Sequence, residues 1–139
     1  MLNIQGLDPS ASSSLSWKVP YLDVLVNSSL QHYSVISITE THVKDQINDA
    51  QMNITGYNVY RSDRTSSKEK GGCCLYIQES LNVSNHSKYD DDYCEVVCCC
   101  IDTIKTLVFS VYRPAKTPHQ KFEEALHFIQ SCINLKDES

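Results

Sequence analysis

Glycine and proline are scarce, four of each among 139 residues, and 41% of the chain is hydrophobic against 21% charged. That balance excludes a collagen-like repeat and a disordered polar chain, and at this length it leaves room for one small globular domain. An excess of base is missing too: twelve Lys and Arg stand against seventeen Asp and Glu, a formal charge of -5. A protein held to nucleic acid by bulk charge is thereby excluded, so any polyanion has to be met locally. Long apolar runs are absent. The longest uncharged one, Val96 to Ile101, is far short of the ~20 residues that a spanning helix needs. The N-terminus also lacks a basic segment followed by an apolar one. These features predict an intracellular protein with no membrane partner.

Paired CxxC and HxxxH spacings do not occur, which argues against structural zinc. What is present is cysteine: seven of them, an odd number, five of which fall in Cys73-Cys74 and Cys98-Cys99-Cys100. Neighbours in a strand point to opposite faces, so these clusters cannot close bridges among themselves and read as small apolar residues of buried strands in a reducing compartment. Asn27, Asn53, Asn82 and Asn85 open Asn-x-Ser/Thr sequons, which matter only on a secreted chain. Asp90-Asp91-Asp92 lacks the glycine turn and distal Glu of a calcium loop, and it reads as a hydrophilic turn.

The pattern predicts a brief strand at Leu2 to Ile4, then a short helix over Lys18 to Ser28, where Val19, Leu22, Leu25 and Val26 recur at helical spacing with Pro20 in the first turn. Strands are expected at Tyr33 to Thr39, Tyr57 to Arg61 and Cys73 to Gln78, each bounded by turn residues. Cys94 to Asp102 and Thr106 to Arg113 are spaced as a hairpin. A second helix is expected from Pro118 to Asn134, with Thr117 as N-cap, Gln120 closing a capping box, and Phe122, Ala125, Leu126, Ile129, Cys132 and Ile133 on one face. Cys94 to Ile101 is apolar on both faces and so demands cover on both. Two helices cover only one face of a single six-stranded sheet, which predicts a second, uncovered face available for self-association.

Five short segments then occur in a recognisable order: Asn3-Ile4-Gln5-Gly6-Leu7, Thr39-Glu40-Thr41-His42, Gly56-Tyr57 through Arg61-Ser62-Asp63-Arg64, Gly71-Gly72-Cys73, and Tyr112-Arg113-Pro114. Together they resemble the endonuclease/exonuclease/phosphatase superfamily, and most of all the apurinic-endonuclease-type domain of non-LTR (LINE-type) retrotransposons. The resemblance runs over residues 3 to 114. It implies an α/β (α+β) fold, the N-terminal half of a four-layer α/β sandwich with a mixed β-sheet and two flanking helices. It also implies that residues 1-139 form a partial domain, because the family's G-D-x-N and S-D-H motifs do not occur in them.

By the same resemblance, Glu40 is the metal-binding Glu, Asn3 orders the site by hydrogen bonding, and Tyr112 contacts the scissile phosphate through its hydroxyl. The cofactor implied for the complete domain is Mg2+ or Mn2+. Each residue also has an ordinary reading: a solvated strand end for Glu40, a turn Asn before Gly6, a half-buried strand aromatic for Tyr112. Gln5 departs from the acidic residue or Asn that some members carry there. His42 occupies a place where the family tolerates Trp, which makes it a surface residue and not the general base. Arg61 and Arg64, with Lys68 and Lys70, give a local positive excess in an acidic chain; with Arg113 of the Tyr112 motif, Arg61 and Arg64 are the expected DNA contacts. The same run also reads as a solvated loop.

The expected function is that of a fragment of a metal-dependent phosphodiesterase, a retrotransposon-type DNA endonuclease, inactive by itself and acting on DNA if completed. Two alternatives stand beside it: a non-catalytic interaction module that uses the uncovered sheet face, and a phosphoesterase-family relic that acts on small phosphoesters.

Overall fold

The computed structural model describes residues 18–28, 32–43, 47–64 and 71–138. Helix α1 (Lys18–Ser28) buries Val19, Leu22 and Val26, one stripe of a helix. Leu25, expected on the same face, is exposed together with Tyr21 and Val24. The helix is tethered by Asp23, whose carboxylate accepts from the Thr55 amide at 2.8 Å.

Among the described residues six strands follow: β1 (Val35–Thr39), β2 (Tyr57–Ser62), β3 (Cys73–Gln78), β4 (Val83–Asp90), β5 (Glu95–Ile101) and β6 (Thr106–Tyr112). Helix α2 (His119–Asp137) closes the order. The strands do not make one mixed sheet. They form two three-stranded antiparallel sheets, ordered β1-β3-β2 and β4-β5-β6. The chain is thus a mixed α+β fold.

Side-chain parity then decides the packing. On β3, Cys74 and Tyr76 point to α1 and join Ile36, Ile38, Leu22 and Met52 in one core. Cys73, Leu75 and Ile77, on the other face of β3, meet Val97, Cys99 and Ile101 of β5. Val96, on the remaining face of β5, and Cys94 just before the strand pack against Ala125, Phe122 and Ile129 of α2. The face expected to lie uncovered is therefore buried within the chain, because the strands split into two sheets that back one another. Each fully buried Leu or Ile of these cores contributes roughly 1.5 to 3 kcal/mol relative to exposure.

Two local expectations are corrected. Thr117 does not cap α2: its hydroxyl donates to Pro114 O at 2.6 Å, closing a turn, and Pro118 stands at the N-cap with no side-chain cap bond. The capping box lies instead at a short 3-10 helix, Asp49–Met52, between Asn48 and Gln51. Strand β4 was not foreseen in Val83 to Asp90. No helix among the described residues is long and apolar enough to cross a membrane. Asn3 and the expected strand at Leu2 to Ile4 lie outside the described residues.

Candidate functional site

The C-terminal ends of β1 and β6 come to the same rim, and the reason lies two to three residues back along each strand. Ser37 on β1 donates to Ser110 on β6 at 2.8 Å, buried between the sheets. The thiol of Cys73 donates to the Ser110 carbonyl at 3.4 Å. Polar groups confined between two apolar sheets have few partners but each other, so these bonds fix how β1 sits over β6. From that anchor the strands run on to Glu40 and Tyr112. The Tyr112 hydroxyl donates to Glu40 Oε1 at 2.8 Å. Residues 72 positions apart in sequence thus share one hydrogen bond.

Glu40 adopts φ 54° and His42 φ 57°, both in the left-handed region that L side chains avoid. Each such residue costs about 1 to 2 kcal/mol. The conformation is held by two backbone bonds, Thr41 N to Gly72 O at 3.2 Å and His42 N to Gly71 O at 2.9 Å. Strain of this kind persists only where the surroundings over-determine it, and it clusters at functional sites. Between the two strained residues, Thr41 is buried, and its hydroxyl has no hydrogen-bond partner among the described residues.

Burial pushes the Tyr112 phenol up to about 12, with the Glu40 carboxylate reinforcing the shift and Arg64 opposing it. The phenol is therefore a neutral donor at physiological pH. Below the ring lies a buried ion pair. Arg64 Nε donates to Glu95 Oε1, Nη2 donates to Glu95 Oε2 at 3.2 Å and to Tyr93 O at 2.6 Å, and Cζ stands 5.8 Å from the Tyr112 ring centroid. Glu95 is fully buried, and its carboxyl is raised by that burial, although Arg64 and the Gly72 amide pull it back.

The three arginines expected at DNA all make contacts within the chain. Arg61 holds Asp63 at 2.7 Å and Asp49 at 3.2 Å. Arg64 is buried on Glu95, and the guanidinium of Arg113 lies 3.9 Å above the Phe122 ring of α2. A groove of about 1300 Å3 is lined by Arg61, Asp63, Asp49, His86 and Lys88, and neither Glu40 nor Tyr112 lines it.

As a cation site, the rim offers the Glu40 carboxylate. Glu40 Oε1 is occupied by the phenol, while Oε2 carries no hydrogen bond among the described residues. No group of three His, Cys, Asp or Glu side chains able to hold a metal exists among the described residues. One carboxylate suits Mg2+, which keeps several waters and takes one or two carboxylates in place of a full protein cage.

Sequence reasoning missed Glu95, Thr41 and the role of Gly72. Glu95 did carry a signal: a lone carboxylate in an apolar strand has to find a buried cation, and Arg64 was the candidate nearest the same motifs. Thr41 carried none, because a Thr beside a strand end is common. Among known proteins, no family model matches the chain and no curated protein matches it.

Proposed function

We propose that this chain carries part of a divalent-metal phosphodiesterase site of the endonuclease/exonuclease/phosphatase type, of the kind that nicks DNA in non-LTR retrotransposons. The observation that carries the reading is the Tyr112 to Glu40 hydrogen bond at the common end of two sheets. It brings a carboxylate and a neutral phenol together on one rim, which supports this reading. The order α1, first sheet, second sheet, α2, read from the three cores, supports the four-layer α/β sandwich of that superfamily.

In this reading Glu40 holds the cation, which when bound neutralises charge on the phosphoryl oxygens. Tyr112, whose single O–H is held on Glu40 here, has to turn that donor to a phosphate oxygen when substrate binds. Among the described residues no group of three His, Cys, Asp or Glu side chains able to hold a metal is found, and the G-D-x-N and S-D-H segments do not occur in the sequence. The chain by itself is therefore expected to bind metal without cleaving DNA. The interaction-module alternative loses its surface, since the sheet face it required is buried.

Mn2+ binding followed by electron paramagnetic resonance tests the reading. Glu40→Gln is expected to weaken binding, with the fold retained by circular dichroism and no nicking of supercoiled plasmid by either form. Mn2+ affinity that is unchanged by Glu40→Gln refutes the assignment.

A further inference from the structure

We infer that Arg64 is a positioning residue: gripped from beneath by Glu95, its guanidinium sets the Tyr112 ring so that the phenol stays on Glu40. The inference rests on the reading of Glu40 and Tyr112 given above, and it replaces the sequence-based expectation of Arg64 as a DNA contact.

A guanidinium meant for a phosphate backbone has to reach solvent, yet the Arg64 side chain is only 8% exposed and that of its partner Glu95 0%. Two edges of the fork are committed, Nε and Nη2 to the two oxygens of Glu95, and Nη2 also to the Tyr93 carbonyl. A planar fork held at three points cannot swing, so it presents a fixed plane and a fixed charge. The Tyr112 ring centroid lies 5.8 Å from its Cζ, within cation–π range.

Gly71 completes the arrangement. A β-carbon at that position would stand 2.6 Å from Arg64 Nε and 2.8 Å from Cζ. The glycine therefore lets the guanidinium lie against the backbone of the same turn whose carbonyls hold Thr41 and His42. One rigid unit, Glu95–Arg64 with the Gly71-Gly72 turn, thus contacts both halves of the Glu40–Tyr112 pair: the ring through Arg64, and the Glu40 segment through the two glycine carbonyls.

A merely structural ion pair is replaceable by apolar side chains of similar size with little consequence for its neighbours. A positioning pair is not. The test uses the full chain with tyrosines labelled by 13C at Cζ, the Tyr112 resonance being assigned from Tyr112→Phe. In the double variant Arg64→Met/Glu95→Leu, which leaves no buried charge unpaired, the Tyr112 resonance is expected to move away from its native position while the other tyrosine resonances stay. Arg64→Lys, which keeps the charge but loses the fork, is expected to give a smaller shift in the same direction. Mn2+ is expected to broaden the Tyr112 resonance in the unmodified chain, and less so in the double variant.

A Tyr112 resonance unmoved in the folded double variant overturns the inference. If that variant does not fold, an unmoved resonance in Arg64→Lys does so. A Tyr112 resonance that Mn2+ leaves sharp in the unmodified chain, while the variants still shift it, overturns the metal reading and supports the positioning role, so the two failures are distinct.

Discussion

The hydroxyl of Thr41 stands where a side chain on Gly72 would have to begin: a β-carbon built on Gly72 lies 2.5 Å from Thr41 Oγ1. Gly72 itself adopts φ +86°. The close approach explains how Glu40 and His42 are kept in the left-handed region, since the Gly71-Gly72 carbonyls reach the Thr41 and His42 amides only if Thr41 tucks over Gly72.

Gly72→Ala is therefore expected to combine an unfavourable backbone angle with a steric clash, and to destabilise by about 3 kcal/mol. Gly56 offers the contrast. Its φ is also +86°, but nothing lies within 4 Å of the added carbon, so Gly56→Ala is expected to cost only about 1 kcal/mol. Urea unfolding of the two variants measures the difference. Thr41→Ala in the Gly72→Ala background is expected to recover part of the loss, and a strictly additive pair would contradict the clash.

Arg64→Met leaves Glu95 charged and alone in a site with no exposure. The expected loss is about 3 to 5 kcal/mol, whereas Arg64→Met/Glu95→Leu is expected to fall close to the unmodified chain. Equilibrium denaturation of the single and double variants closes the cycle. A single variant as stable as the double one would mean that Glu95 does not depend on Arg64 for its charge.

The acid limb of stability is expected to owe part of its slope to Asp91, at the turn from β4 to β5. Its carboxylate accepts from the Cys94 amide at 2.8 Å, the Tyr93 amide at 3.1 Å and the Tyr89 hydroxyl at 2.8 Å. Burial raises the carboxyl, but the Cys94 amide, the Tyr89 phenol and the Tyr93 amide outweigh it, so the group titrates below its ordinary value. As pH falls, the unfolded chain takes up this proton first. The stability Asp91 contributes is thus present above the unfolded carboxylate range, about 3.9, and is lost as pH falls through the lower native value. Asp91→Ala is expected to lose about 2 kcal/mol at neutral pH and to flatten the limb below it. Thermal melts between neutral pH and strong acid check both.

Local structure was legible wherever one face of an element was apolar. The Lys18 to Ser28 helix, the Cys73 to Gln78 strand and the hairpin of β5 and β6 follow directly from period and turn residues. Strand β4 was hidden because Val83-Ser-Asn-His-Ser-Lys-Tyr-Asp is an edge strand with no buried residue and so no apolar face to mark it; what makes it a strand is its ladder with β5. The division into two sheets was hidden as well. The two apolar faces of β5 stated a demand for cover, but not that β3 would meet half of it. At the rim, only family resemblance paired Glu40 with Tyr112, since nothing local connects positions 72 apart. Thr41 and Gly72 became visible only when the turn closed on them.

Thiol chemistry offers a last check on the reading of the cysteine clusters as core. All seven cysteines are free, and Cys100 alone among them is half-buried, the others being buried. Burial pushes the thiols of Cys73 and Cys99 up to about 12, and the same cause, with the Cys132 thiol beside it, takes Cys98 to about 12. Thiolate is the reacting species, so these groups are expected to resist iodoacetamide at neutral pH while Cys100 reacts first, as peptide mass spectrometry would report. Unfolding in urea should make all of them reactive. The substitutions divide in the same way: Cys99→Ala, small and apolar between the sheets, is expected to cost less than about 1.5 kcal/mol. Cys99→Ser places a hydroxyl in that layer and is expected to cost about 1 kcal/mol more unless it finds a carbonyl. Rapid alkylation of Cys99 in the native chain would mean that the two sheets do not close over it.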